Sequence, residues 1–179
     1  AEKILGELIA GSRDELIITS KVWGQMGTDI NAKGSSRKNI IASLEASLKR
    51  LNTSYIDIYF LHRFDPHTAL EETLATLDDL VTQGKIRYIG ASNFAAWQVA
   101  KALGVSTLHD WASFQCIQPM YNLVKRQAEV EILPLALSEN IGVVSYNPLG
   151  GGLLTGKYGE KIESSQNRLG QGEIFKKRY

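Results

Sequence analysis

The chain is poorest in what would tie it to a membrane, a metal or a polyanion. Cys116 is the only cysteine, which excludes an internal disulfide; in an apolar run it reads as a small buried hydrophobe. A single thiol suits a reducing cytosol, and a cytoplasmic location is the expectation. Three histidines are present, and none stands at metal-ligand spacing from another histidine or a carboxylate, so no metal is expected. Twenty basic residues face nineteen acidic ones, and no basic run is interleaved with aromatics. That balance predicts no nucleic-acid partner. No apolar stretch approaches the ~20 residues that span a bilayer, so membrane insertion is not expected. Of the 179 residues, 44% are hydrophobic and 22% charged, which is ordinary for a soluble globular protein and enough for a sizeable core.

What the chain does have is a rhythm. Apolar runs end in residues able to do chemistry: Leu16–Ser20 into Lys21, Tyr55–Leu61 into His62, Ile86–Ala91 into Ser92 and Asn93. Phe114–Ile117 leads into Gln118, and Gly142–Ser145 into Tyr146. The strand starts recur roughly every thirty residues, the length of one βα unit. Continuous apolar runs predict parallel strands buried on both faces.

The segments between the runs read as helices. Ile4, Leu5, Leu8 and Ile9 predict a first helix. Ser35 or Ser36 can cap a helix striped by Ile40, Ile41, Leu44, Leu48 and Leu51. Thr68-Ala69-Leu70-Glu71 reads as a capping box before the stripe Leu70, Leu74, Leu77 and Val81, with Gly84 as the left-handed stop. Ala95–Leu103 is expected to end at Gly104, and Glu129–Asn140 to be kinked or shortened by Pro134. Gly150-Gly151-Gly152 and the stretch from Tyr158 to Gln171 read as a long loop.

This is an α/β pattern with functional groups at the strands' carboxyl ends, where parallel α/β folds place their sites. A doubly wound dinucleotide fold would carry G-x-G-x-x-G after its first strand, and the chain has none there. A (β/α)8 TIM barrel fits better but needs about 250 residues. The expectation is therefore one partial barrel domain over 1–179, truncated at both ends. The absence of an initiator methionine and the helical start agree with it.

The motifs Ile18-Thr19-Ser20-Lys21, Ser36-Arg37-Lys38, Ser47-Leu48-Lys49-Arg50-Leu51 and Tyr55-Ile56-Asp57-Ile58-Tyr59 before His62 resemble the aldo-keto reductase family. So do Gly90-Ala91-Ser92-Asn93-Phe94, Gln118 with Tyr121-Asn122, Ser145-Tyr146-Asn147-Pro148-Leu149 and Gly152-Leu153-Leu154-Thr155-Gly156-Lys157-Tyr158. The likeness covers essentially the whole chain and is greatest to the branch of potassium-channel β subunits and bacterial reductases. It implies strands 3–7 of the barrel with their helices.

The resemblance also implies an oxidoreductase that transfers hydride from NADPH to an aldehyde or ketone, with NADH open as an alternative. Lys21 then lowers the pKa of a catalytic tyrosine, and His62 orients the carbonyl. Ser92, Asn93 and Gln118 hold the nicotinamide carboxamide, a group that needs uncharged donors and acceptors. Tyr146 stacks on the nicotinamide ring, with Asn147 beside it. Leu149, Gly151 and Leu153 belong to the loop at the pyrophosphate. Trp23 and Arg63 are rim candidates for substrate contact.

Read without the family, each has a plainer role. Lys21 is a solvated strand-end lysine, His62 and Tyr146 are core residues, Ser92-Asn93 is a turn, and the glycines are a hinge. Asp57 reads as structural, and His67 and His109 as surface residues. The family's catalytic tyrosine and its aspartate partner lie upstream of Ala1, so the isolated chain is expected to be a poor enzyme. An NADPH-binding regulatory protein is the alternative, and histidine at position 62, commonly asparagine in the channel branch, favours catalysis. A Schiff base on Lys21 is a third chemistry. The implied partner is a small carbonyl substrate; self-association as a homo-oligomer is left open.

Overall fold

The computed structural model describes residues 1–157, which divide into two compact units, 1–117 and 118 onward. The expected loop from Tyr158 to Gln171 lies outside the described residues. In the first unit the strands β1 (Thr19–Val22), β2 (Ile56–Leu61), β3 (Ile86–Ser92) and β4 (Phe114–Gln118) follow one another in chain order across a sheet. The β1–β2 and β2–β3 pairs are parallel. Helices α1 (Glu2–Leu8), α2 (Arg37–Leu51), α3 (Leu70–Thr82) and α4 (Ala96–His109) complete the α/β alternation. The fold class is as the sequence indicates, consistent with a piece of a (β/α)8 barrel.

The register sets the geometry of everything above it. Lys21 stands opposite Phe60, and Phe60 opposite Gly90; one row on, Val22 meets Leu61 and Leu61 meets Ala91. His62 N–H donates to the Val22 carbonyl at 2.9 Å, extending the ladder past the strand end. Ile40, Leu44, Leu51, Ile56, Leu74, Leu77 and Ile89 form the core between helices and sheet.

Helix α2 begins as read: Ser36 caps it, its side chain accepting from Asn39 N–H. Asn52, left-handed at φ +52°, closes it. Helix α3 stops as expected, with Gly84 at φ +72° and Lys85 N–H returning to the Leu80 carbonyl at 3.1 Å.

Several expectations give way. Strand β1 starts at Thr19, and Leu16 and Ile17 lie exposed before it. Strand burial is not two-sided, since Arg87, Tyr88 and Gln115 face solvent. The capping box at Thr68 does not form: Ala69 is the cap residue, and the Thr68 hydroxyl donates to Asp65 Oδ2 at 2.9 Å. A nearer carboxylate captures that hydroxyl. Helix α4 runs through Gly104 to His109, because one glycine costs only about 1 kcal/mol. The left-handed Asp110 ends it instead, at φ +56°. The apolar stripe of α1 stays largely exposed; the helix packs through Gly6, where a Cβ would lie 2.6 Å from the Leu51 carbonyl oxygen. Glu2 anchors the same helix by accepting from Ser20 Oγ at 2.7 Å and Arg50 Nε at 2.6 Å.

In the second unit, the helical stretch expected over 129–140 divides into a 3-10 turn, Gln127–Glu129, and α5, Ile132–Ser138. Pro134 falls in the first turn of α5, where its missing N–H is not needed. Strand β5 is only Gly142–Val143, shorter than the run to Ser145. The glycine-rich segment forms a kinked 3-10 turn, Gly150–Thr155, rather than open loop.

Gly90 is the tightest point of the sheet. A Cβ there would stand 2.6 Å from Phe60 Cε1 and 2.7 Å from the Cys116 carbonyl oxygen. Gly90→Ala is expected to destabilise the protein by about 1–3 kcal/mol through overpacking. Urea unfolding followed by circular dichroism measures it, and an unchanged midpoint contradicts this close approach.

Candidate functional site

The strand ends of the first unit carry Lys21, Trp23, His62, Arg63, Ser92 and Asn93. In the parallel register, residues of one row share a face, and the face alternates from row to row. Lys21, Phe60 and Gly90 therefore share a side, and His62 and Ser92, two rows on, return to it.

Lys21 is half-buried, with its Nζ 5.4 Å from the Phe60 ring centroid. Partial burial lowers its pKa below the usual lysine value. Lys21, Trp23 and His62 line one cavity of about 440 Å3, walled on the far side by Asn39, Ser43 and Ser47 of α2. Desolvation, followed by the positive charges of Lys21 and then Arg63, holds the His62 imidazole below its ordinary pKa. The ring is therefore neutral at neutral pH and keeps one N–H donor.

Asn93 adopts the left-handed conformation at φ +56°, which asparagine tolerates better than most residues. Its Nδ2 donates to the His62 carbonyl and to Ser92 Oγ, both at 3.0 Å. Ser92 is buried. Hydroxyl and amide thus meet the His62 main chain at the ends of β2 and β3.

Trp23 follows β1 with φ +144°, a conformation that strains a side-chain-bearing residue. Its carbonyl accepts from Gly34 N–H at 2.8 Å. The Arg63 guanidinium lies 5.5 Å from the Trp23 ring centroid, within cation–π range.

Gln118, the last residue of β4, opens the second unit, which also holds Tyr146, Asn147, Leu149, Gly151 and Leu153. Tyr146 bridges in parallel to Met120 and donates its N–H to the Pro119 carbonyl at 3.1 Å. The Asn147 carbonyl accepts from Asn122 Nδ2 at 3.0 Å. Leu149 precedes the turn, whose Gly150, Gly151 and Gly152 are all left-handed, at φ +58°, +65° and +103°. Leu153 lies within it. Side chains would strain those positions, so glycine is required there.

Sequence reasoning missed the groups that brace the first unit's strand-end loops. Asp65 Oδ2 accepts from Ser35 N–H at 2.7 Å and from Thr68 Oγ1, while Oδ1 accepts from His67 N–H at 3.0 Å. Burial works against its charge, but these hydrogen bonds prevail and hold the carboxyl below its usual range. Asp65 thus clasps the loop after β1 to the loop after β2. Phe64 and Phe94 meet edge to face at 5.5 Å, and Phe94 meets Phe114 at 5.8 Å, binding the next two loops to β4. An aspartate four residues past a strand end was the available signal. Asp57, by contrast, is structural as read: it accepts from Ile18 N–H and Arg13 Nη2, each at 2.8 Å. Tyr59 is fully buried, and burial raises its pKa, so it is unsuited to giving up a proton.

In the first unit, the Ser92 hydroxyl and the Asn93 amide are uncharged groups able to donate and accept, as a carboxamide partner must. In the second, the left-handed glycines of the turn permit main-chain donors to approach an anion.

Comparison with known proteins bears on the family. The family model described as "Aldo/keto reductase family" matches residues 1–172. A probable voltage-gated potassium channel subunit beta from Arabidopsis thaliana is 37% identical over 174 residues, covering 94% of this chain and 52% of the relative. L-glyceraldehyde 3-phosphate reductase from Escherichia coli (strain K12) is 40% identical over 158 residues, covering 87% and 45%. Aldo-keto reductase YhdN from Bacillus subtilis (strain 168) is 39% identical over 163 residues, covering 90% and 47%. The chain spans about half the length of the curated relatives it matches. Among the described residues, no helix is long and apolar enough to cross a membrane.

The electrostatics of the pocket can be checked directly. The His62 ring is expected to titrate below the ordinary histidine midpoint of ~6.5 by NMR. Lys21→Met should move that midpoint upward, because one of the repelling charges is gone. A midpoint unmoved by the substitution contradicts the coupling.

Proposed function

Because the chain belongs to the aldo/keto reductase family, we propose that the full-length protein is an oxidoreductase of the cytoplasm that reduces an aldehyde or ketone with NADPH. The observation that carries this reading is the joint lining of one cavity by Lys21 and His62, with the Ser92–Asn93 pair hydrogen-bonded to the His62 carbonyl. When bound, NADPH supplies the hydride. As the carbonyl carbon gains it, the oxygen must gain a proton. Neutral His62 donates its N–H to that oxygen and fixes the carbonyl's orientation. The Lys21 ammonium, partly desolvated, stabilises negative charge nearby and so lowers the pKa of the phenol that gives the proton. The resemblance assigns that phenol to a tyrosine upstream of Ala1, so this chain alone is expected to turn over poorly. By the resemblance, Ser92, Asn93 and Gln118 would orient the carboxamide, Tyr146 and Asn147 would support the nicotinamide, and Leu149, Gly151 and Leu153 would hold the pyrophosphate.

The likeness to the Arabidopsis subunit supports a second reading, in which the protein binds NADPH as a regulatory subunit with little turnover. His62 weighs against it, since an imidazole poised as a neutral donor serves reduction.

NADPH oxidation driven by a simple aldehyde such as 4-nitrobenzaldehyde, followed with the full-length protein, separates the two. Turnover should fall about 100-fold or more in kcat/KM for Lys21→Met and for His62→Ala. Tight NADPH binding with negligible turnover supports the regulatory reading, and turnover indifferent to both substitutions overturns the assignment of these residues.

A further inference from the structure

Among the described residues, Arg63 and Arg87 are the arginines with an aromatic ring and no carboxylate as partner. Arg13 pairs with Asp57, Arg37 with Asp79, Arg50 with Glu2 and Arg126 with Glu129. Arg87 lies over the Tyr55 ring at 4.5 Å. Arg63 has no carboxylate partner among the described residues; its ring contact is Trp23. The nearest acid in sequence, Asp65, is already engaged by Ser35, His67 and Thr68.

We propose that Arg63, set over the Trp23 ring beside His62, anchors an anionic oxygen group of the substrate, so that the protein prefers carbonyl compounds bearing a carboxylate or a phosphate. The proposal rests on the reductase reading and adds the class of substrate to it. A guanidinium presents a planar fork of donors matched to two oxygens of a carboxylate or phosphate. The cation–π contact with the indole narrows its orientations before any ligand arrives, which reduces the entropy lost on binding. The indole is itself restrained: the Trp23 backbone is held at φ +144°, and its carbonyl is tied to Gly34 N–H. The Arg63 guanidinium lies near enough for its charge to act on the His62 imidazole, and the Trp23 it contacts lines the same cavity as His62, so an anion on its fork lies near the imidazole that would meet the carbonyl. The field there is positive, as the lowering of the His62 pKa by Lys21 and Arg63 reflects, and it draws anions inward.

The test uses two matched pairs of substrates with the full-length protein and NADPH: 4-formylbenzoate against its methyl ester, and glyceraldehyde 3-phosphate against glyceraldehyde. The charged member should be preferred in kcat/KM. Arg63→Met should reduce the charged-to-neutral ratio at least about tenfold, the scale of a charge-assisted hydrogen bond, chiefly through KM, and Arg63→Lys should restore part of it. A ratio that falls for one pair alone identifies carboxylate or phosphate as the group read. A ratio unchanged in Arg63→Met, or both members falling together, overturns the proposal. If neither aldehyde of either pair is reduced, the reductase reading fails. The anion site is then judged by titrating benzoate or inorganic phosphate into 5-fluorotryptophan-labelled protein. A saturable shift of the Trp23 fluorine signal that Arg63→Met abolishes upholds it, and no shift overturns it.

Discussion

Parallel pairing of β1, β2 and β3 in one fixed register is the constraint from which the first unit's chemistry follows. Lys21, Phe60 and Gly90 form one row, and the next row is Val22, Leu61 and Ala91. Because the strands run the same way, their last residues emerge at the same edge, and Trp23, His62 and Ser92 come next in line. A slip of one residue between β1 and β2 would put Lys21 and His62 on opposite faces of the sheet. The register is protected by bulk: Phe60 fills the space that Gly90 leaves, and no other residue at position 90 would leave that room.

The two ends of this sheet are built for different purposes. At the amino end, Asp57 and Arg13 satisfy one another and the Ile18 N–H, and the Arg13 guanidinium also covers the Tyr55 ring at 3.9 Å. Those charges are matched and serve stability. At the carboxyl end, Lys21 is partly desolvated, His62 is held neutral, and Arg63 sits over the Trp23 ring with no carboxylate partner among the described residues. Charges left uncompensated at one rim are a cost to the fold that a site can use. The Asp65 clasp and the Phe64–Phe94–Phe114 contacts hold that rim in shape, so the cost does not become disorder of the loops.

Much of this was legible from the chain. The polar residues that close the apolar runs, Lys21, His62 and Ser92–Asn93, located the rim, although Lys21 lies one residue inside β1 and Ser92 is itself buried. Ser36 announced its helix, and Gly84 announced a stop, each through a local backbone requirement. The misreadings came where a tertiary neighbour outweighed a local signal. Thr68 matched a capping box, but Asp65 took its hydroxyl. Gly104 matched a helix stop, but the chain stayed helical to the left-handed Asp110. The exposed stripe of α1 misled for a related reason: that helix docks through a glycine and through Glu2, neither of which periodicity detects. Asp65, Phe64 and Phe94 escaped notice because each acts through loops that are distant in sequence.

The claim on which the account stands is that the carboxyl-end rim, and not another face, receives the nicotinamide. The most direct measurement is a titration of the full-length, isotope-labelled protein with NADP+, following the Asn93 side-chain amide, the His62 ring and the backbone N–H of Ile18 by NMR. Saturable shifts at Asn93 and His62, with Ile18 at the opposite end of the sheet unmoved, are the predicted result. Binding that moves Ile18 and leaves Asn93 and His62 in place would contradict it.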